Sequence, residues 1–142
     1  MINFIAGLPS TASALNAERI RMEVVSQNIA NANSSRGPNG QPYQRQQVQF
    51  ESVLAAQRGA LSGPGLAQVR VAGITHDNRA PKMVYQPGHP DANPRGMVSL
   101  PDINIHEEMA DLISSSRAFE ANLAVVKNAR AMAFQTLSIG KR

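Results

Sequence analysis

The sequence predicts a mainly α protein with a small β insertion. Its N- and C-terminal helices pair as a coiled coil, and a middle segment of short antiparallel strands and loops joins them. Three observations carry this reading. Eight of the nine prolines fall between 38 and 101, and eight of the ten glycines between 37 and 96. Stretches 10–33 and 102–139 hold neither residue, so no missing N–H and no excess backbone entropy interrupts a helix there. Both ends also repeat apolar residues every seven positions, the period of a coiled-coil seam rather than of a broad globular helix face. Finally, only 4% of the chain is aromatic while 42% is hydrophobic. Apolar burial must then come from Ala, Val, Ile, Leu and Met, which suits helix seams better than a thick core. The 142 residues are one domain's worth of chain, divided as 1–34, 35–104 and 105–142.

In the first helix the stripe is Leu8, Leu15, Met22 and Ile29, flanked at helical spacing by Phe4 and Val25. Pro9 permits two starts: a helix from the beginning with Pro in its first turn, or a start near Ser10. A helix over the whole of 4–33 would be a rod of about 45 Å. The stripe ends in "NIANANS" (28–34). Asn is a poor helix residue because its amide competes for backbone hydrogen bonds. Asn33, followed by Ser34, Ser35 and Gly37, is expected to stop the helix in a left-handed conformation. Asn28 and Asn31 lie at i and i+3 beside Ile29. They are expected to set register between packed chains, because an unpaired buried amide costs about 1–3 kcal/mol.

In the middle, "AQVRVAGIT" (67–75), "KMVYQ" (82–86) and "GMVSL" (96–100) read as strands. Turn-forming runs "HDNRAP", "PGHPDANPRG" and "PDIN" bound them, so a small antiparallel sheet or a pair of hairpins is expected. "RGALSGPGL" (58–66) reads as a mobile loop within the less diagnostic stretch 55–66. In the last helix, Ile105, Leu112, Phe119, Val126 and Ala133 form one seven-residue series. Met109, Ser116, Leu123, Arg130 and Leu137 form the adjacent one. Asp102 or Asn104 can cap the helix. Glu107, Glu108 and Asp111 at its start and Lys141 and Arg142 at its end complement the helix dipole. Ser116 and Arg130 within the seam favour register and partner choice over maximal stability. Within "SSSRAFEAN" (114–122), two readings stand: a weakly hydrophobic helix face, or an interface in which Arg117, Glu120 and Asn122 pair with neighbouring chains. A lone two-helix hairpin with few aromatics is marginal, so packing against other chains is expected.

Several function classes drop out. There is no Cys, so disulfides, thiolate metal sites and thiol catalysis are excluded. No stretch approaches the roughly 18 apolar residues of a membrane span. The N-terminal "MINFIAGLPSTASALNAERI" has no positively charged leader region and reads as uncleaved. His89 with Asp91, His76 with Asp77 and His106 with Glu107 are three isolated neighbour pairs, where a metal site needs three or four converging ligands. "PGHPDAN" then reads as a turn. No phosphate-binding loop, zinc-protease or nucleophile-elbow motif occurs. The chain therefore reads as a non-enzyme with no cofactor, no metal and no small-molecule substrate. The formal net charge is +4, which keeps a small basic coiled-coil nucleic-acid-binding protein as the alternative. Basic groups spread singly among carboxylates, without interleaved aromatics, favour a solvated surface instead.

Three stretches resemble a known family. "SALNAERIRMEVVSQNIANANS" (13–34) is similar to its signature of Ala, Arg, Met and an Asn-rich helix end. "YQRQQVQFE" (43–51) follows it, and "VYQPGHPDANPRGMVSLPDINIHEEMADLISSSRAFEAN" (84–122) is the most specific match. The chain resembles the bacterial flagellar axial proteins, most closely the basal-body rod subunits of the proximal rod. Ala14, Ser34 and Phe119 stand where the family usually has Gly, Thr and Tyr, and 36–42 looks slightly expanded. The resemblance implies a structural subunit that helps transmit torque from the motor toward hook and filament. It implies terminal helices paired in an inner domain that stacks helically into a tube. It also implies an interface drawn from the seam residues and from Asn28, Asn31, Arg117, Glu120 and Asn122. The implied partners are copies of the chain, other rod subunits, an adaptor at the rod base, the membrane ring of the basal body and the flagellar type III export apparatus. The implied location is the basal body, in the rod crossing the periplasm, reached without a cleaved signal. "FESVL" (50–54) resembles the family's Phe-x-x-x-Phe export-gate motif, with Phe50 first and Leu54 last.

Overall fold

A computed structural model describes residues 7–37, 39–54 and 67–140. The chain runs α1 (Leu8–Ala30), β1 (Gln46–Leu54), β2 (Ala67–His76), β3 (Lys82–Tyr85), β4 (Met97–Leu100), α2 (Ile105–Ile139). Helices at both ends and a middle of short antiparallel strands agree with the sequence reading. The readings for Phe4, the loop at 55–66, Lys141 and Arg142 lie outside the described residues.

α1 has Gly7 at its N-cap and Pro9 within its first turn, where a missing N–H costs no helical hydrogen bond. The end of α1 differs from expectation. No non-glycine residue in the described chain has a positive φ, so Asn33 does not stop the helix in a left-handed conformation. Asn31 does the work instead, as C-cap at φ −101°. Its Nδ2 donates to the Gln27 carbonyl at 2.8 Å, and its backbone N–H donates to the same oxygen at 3.0 Å. That satisfies a terminal carbonyl left open by the helix end. α2 begins at Asn104, whose side chain accepts from the His106 N–H at 3.1 Å, with Glu107 and Glu108 in its first turn. Asn104, rather than Asp102, is the cap.

The helices pack antiparallel: Asn28 of α1 meets Glu108 of α2, and Arg21 meets Asp111. The line of closest packing is offset from the predicted stripes. On α1 the buried residues are Ala17, Val24, Val25 and Asn28, while Leu8, Leu15, Met22 and Ile29 are half-buried along the flank. On α2 the line is Glu108, Ser115, Asn122 and Ala129, itself a seven-residue series. Leu112, Phe119, Val126 and Ala133 flank it half-buried, whereas Ile105, Met109, Leu123 and Leu137 are exposed. The physical reason is size. Ala17, Ser115 and Ala129 are short enough for the backbones to approach, whereas the longer Asn28 and Glu108 occupy the line because they bond each other there.

The strands form two hairpins, β1–β2 and β3–β4, each antiparallel. β1 was missed by the sequence reading, though a period-2 signal is present. Val48, Phe50 and Ser52 alternate with Gln47, Gln49 and Glu51, and Glu51 pairs across to Arg70 on the polar face at 3.8 Å. The register shifts between Gln49 and Phe50, leaving Ala72 as an extra residue in β2. The hairpin lies along α1. Gln46 meets Asn28 at one end, and Ala67 meets Ser10 at the other, with the Ser10 Oγ donating at 2.8 Å. Eighteen helical residues rise about 27 Å and eight strand steps cover about 26 Å, so the two lengths match.

β3 and β4 enclose the turn 86–96, in which Asn93 Oδ1 accepts from the Arg95 and Met97 N–H groups at 2.9 and 3.0 Å. Gly96 has φ +74°, and a Cβ there would sit 2.9 Å from Tyr85 Cε2 and 3.1 Å from Pro87 Cβ. Gly96→Ala is expected to destabilise the chain by about 1–3 kcal/mol, read as a lowered urea midpoint. Gly88→Ala, with nothing near its Cβ position, is expected to leave the midpoint within experimental scatter. Equal midpoints for the two variants would contradict the assigned turn.

Candidate functional site

The chain's buried chemistry gathers where the end of α1, the start of β1 and the first turns of α2 meet. Asn28 is 1% exposed and its amide is fully used. Nδ2 donates to the Gln46 carbonyl and to Glu108 Oε2, both at 2.9 Å. Oδ1 accepts from the Gln46 N–H at 2.9 Å and from the Tyr43 hydroxyl at 3.0 Å. Two donors and two acceptor sites are all that a carboxamide offers. Because Gln46 turns both its N–H and its C=O toward Asn28, the amide stands in for a neighbouring strand at the start of β1. Asn28 therefore sets register inside the chain and has no capacity left for a neighbouring subunit. Asn31 gives one amide hydrogen to its own helix end and accepts from Ser34 Oγ at 3.3 Å. Of the two, Asn28 is turned inward by this geometry, while Asn31 stays half-buried at the helix end.

Glu108 is the second hub, also 1% exposed. Its Oε1 accepts from Arg45 Nε and Nη2, each at 2.6 Å. A buried carboxylate is tolerated only when paired and hydrogen-bonded; here one oxygen takes the guanidinium and the other the Asn28 amide. Arg45 also lies 3.9 Å from Asp77, which holds Arg79 at 3.0 Å. Asp77 in turn donates its backbone N–H to the Arg45 carbonyl at 2.8 Å. Arg21 and Asp111 close the flank at 2.9 Å. The cluster thus joins α1, β1, the end of β2 and α2. The sequence reading placed Glu107 and Glu108 together as dipole-complementing acids and missed the clasp, because Asn28, Arg45 and Glu108 are far apart in sequence. The one available signal was a basic residue next to a strand-like run, "QRQQVQF".

The remaining candidate residues separate by exposure. Arg117, Glu120 and Leu123 are exposed, and Phe119, Asn122 and Val126 are half-buried. Asn122 donates to the Ala118 carbonyl of its own helix at 3.0 Å. Phe50 is half-exposed above α1, in a groove of about 330 Å³ that Val24, Val25 and Val48 also line. Nothing is described of the Leu54 side chain. His89 belongs to a turn: its Nδ1 accepts from the Asp91 N–H at 3.1 Å, while Asp91 accepts from Ser35 Oγ at 2.8 Å. Among the described residues no three His, Asp or Glu side chains converge. Arg19, Arg21, Arg36, Arg45, Arg70 and Arg79 are each ion-paired to a carboxylate.

Glu108→Ala would leave the Arg45 guanidinium with only its 3.9 Å contact to Asp77 and one Asn28 Nδ2 hydrogen unpaired. The expected loss of stability is about 3–5 kcal/mol, read by urea denaturation; a loss below about 1 kcal/mol would contradict the clasp. Burial pushes the Tyr43 phenol above its ordinary 10.0, and the nearby Glu108 carboxylate pushes it the same way. The unfolded chain then gives up this proton first. Stability from the neutral phenol is complete below pH 10.0 and is lost as pH rises through the folded value. The urea midpoint is expected to fall more steeply above that pH in the native chain than in Tyr43→Phe.

Comparison with known proteins places this geometry. Residues 8–38 match the family model described as flagella basal body rod protein. Residues 95–139 match the one described as flagellar basal body rod FlgEFG protein C-terminal. The chain is 40% identical over 129 residues to the flagellar basal-body rod protein FlgC of Yersinia enterocolitica, covering 91% of this chain and 92% of that one. It is 41% identical over 144 residues to FlgC of Bacillus subtilis, covering 92% and 94%. With FlgC of Borreliella burgdorferi the identity is 40% over 141 residues, covering 90% and 91%. The matched segments contain α1 with its Asn-rich end and α2 with the clasp carboxylate, and the chain belongs to the FlgC family of flagellar basal-body rod proteins, structural subunits of the flagellar basal body.

Proposed function

We propose that this rod subunit occupies the proximal rod and works as one stave of the drive shaft, passing torque toward hook and filament. α1 and α2 form the inner helical domain, drawn from 1–34 and 105–142, and 35–104 forms an outer β part. The observation that carries the reading is the apolar surface of α2. Met109, Ile113, Val125, Met132, Phe134 and Leu137 are all more than half exposed. Large apolar side chains left exposed in this number along one helix mark an interaction surface. Each such side chain adds about 1.5–3 kcal/mol when a neighbour covers it. Copies of this chain and other rod subunits are the proposed neighbours, with Arg117 and Glu120 supplying charged contacts among them.

The adaptor at the rod base and the membrane ring are the further proposed partners, and the work is mechanical rather than catalytic. Export through the flagellar type III apparatus, as an unfolded chain without a cleaved signal, would deliver the subunit across the inner membrane to the periplasm. Phe50 and Leu54 would act as a gate-recognition pair while the chain is unfolded. They are four apart, so they share one face of an extended segment.

The test replaces Met109 and Leu123 together by Asp. Neither lies on the intrachain packing line, so the purified chain is expected to keep its helical circular dichroism and its urea midpoint. Cells carrying it in place of the native gene are expected to lose swimming in soft agar and to yield basal bodies without a complete rod. Normal swimming would overturn the assignment of this face.

A further inference from the structure

The β1–β2 hairpin is a sheet of two strands, so each strand has one free edge. Successive residues of an antiparallel pair turn their backbone groups alternately to the partner strand and away from it. At the start of β1 the Arg45 carbonyl accepts from the Asp77 N–H, on the partner side. Gln46 turns its N–H and C=O to Asn28 instead. The outward series of β1 therefore begins at Gln46 and continues through Val48, Phe50 and Ser52. On β2 the Ala67 carbonyl accepts from Ser10 Oγ at 2.8 Å, and the Val69 N–H donates to Ser13 Oγ at 3.1 Å. Ala67 and Val69 thus face outward on the other edge. The register carries this series to Val71 opposite Phe50 and, past the extra residue Ala72, to Ile74 opposite Val48.

α1 consequently guards each edge at one end only, through Asn28 on β1 and through Ser10 and Ser13 on β2. Beyond those caps, no side chain or loop among the described residues bonds the outward groups of Val48, Phe50 and Ser52, or of Val71 and Ile74. An open strand edge is a template for another strand, and proteins blunt it with proline, lysine or a very short strand. β1 has nine residues and β2 ten, with neither proline nor lysine in them. Beside the β1 edge lies the groove of about 330 Å³ floored by Val24 and Val25. Phe50 and Ile74, on the hairpin face shared with Val48 and Val71, are 42% and 48% exposed.

We infer that the open β1 edge of one subunit receives the open β2 edge of a second copy, so that the hairpin sheets join across subunits. Charge selects this pairing over the alternatives. Glu51 is the single formal charge of β1 and Arg70 that of β2. Joining like edges would set Glu51 near Glu51 or Arg70 near Arg70, whereas joining unlike edges brings opposite charges onto neighbouring strands. Because each copy carries one edge of each kind, the contact is head-to-tail and repeats from copy to copy. Copies standing side by side in one direction place β2 antiparallel to the next β1, the arrangement these strands already adopt within the chain. This contact is additional to the α2 surface, and it rests on the rod-subunit reading only for the parallel arrangement of copies.

The chain lacks cysteine, so single introduced thiols report contacts cleanly. Cells make two full-length versions together, one with Gln49→Cys and one with Ala72→Cys, the first lengthened by a tag so that mass identifies a mixed dimer. Both positions are exposed. Isolated basal bodies are treated with a thiol-bridging reagent of about 10 Å reach, two strand spacings. Mixed dimers are expected, without dimers of two Gln49→Cys chains or of two Ala72→Cys chains. Dimers of like chains, or complete rods that yield no mixed dimer, would overturn the edge contact and leave the rod-subunit role and the α2 surface standing. In a second arm the Gln49→Cys chain also carries Val48→Pro, which removes an outward N–H and no bond to β2, or Val48→Ala as the control for side-chain size. The proline is expected to lower the mixed dimer about fivefold relative to the alanine, the weight of one net hydrogen bond. Equal yields from the two would overturn the pairing of backbone edges.

Discussion

A carboxylate sealed from water governs this fold. Glu108 cannot remain charged at 1% exposure without a cation and a further donor. Arg45 and Asn28 supply them from two other elements. That requirement fixes where α2 begins relative to α1, and it fixes the entry of β1, because the Asn28 amide that serves Glu108 also holds both backbone groups of Gln46. Tyr43 is drawn in by the same amide, through the remaining lone pair of its oxygen. Such a cluster adds little net stability compared with apolar packing, yet it penalises every arrangement that leaves one partner alone. Its contribution is therefore uniqueness of register at the junction of three elements.

Away from the clasp the helices divide their residues between two tasks. Ala17, Ser115 and Ala129 sit on the line between α1 and α2, and long apolar side chains such as Met109, Val125, Met132 and Phe134 are left outside. A self-contained two-helix protein would place them the other way round, since burying large apolar groups is what stabilises a small fold. The inversion suits the proposed packing of this chain against other rod subunits, which would cover those side chains. It also reconciles a chain of few aromatics with a structural role in the basal-body rod.

The middle of the chain serves as bracing. The β1–β2 hairpin matches the length of α1 and is pinned to it at Ser10, Ser13 and Asn28. The turn between β3 and β4 is built by Asn93, Asp91 and Gly96. His89 looks like a candidate ligand in isolation, but its ring nitrogen accepts a backbone N–H inside that turn. The histidine is thus part of the turn's internal hydrogen bonding.

The sequence alone determined the order helix, strands, helix, because proline and glycine forbid long helices in the middle and their absence permits them at the ends. It determined the strand positions at 67–75, 82–86 and 96–100, and narrowed the cap of α2 to Asp102 or Asn104, since these rest on neighbours close along the chain. The family signature was legible for the same reason, being written in contiguous stretches. What only the tertiary structure decided was which face of each helix turns inward. A seven-residue apolar series identifies a seam but not its partner, so Leu8, Leu15, Met22 and Ile29 on α1 marked a flank rather than the line of contact. Only the tertiary structure revealed β1 as a strand, its alternation masked by five glutamine, glutamate and serine residues in nine. It also decided that Asn28 faces inward, because the partners that use up its amide, Tyr43, Gln46 and Glu108, come together only when the chain has folded.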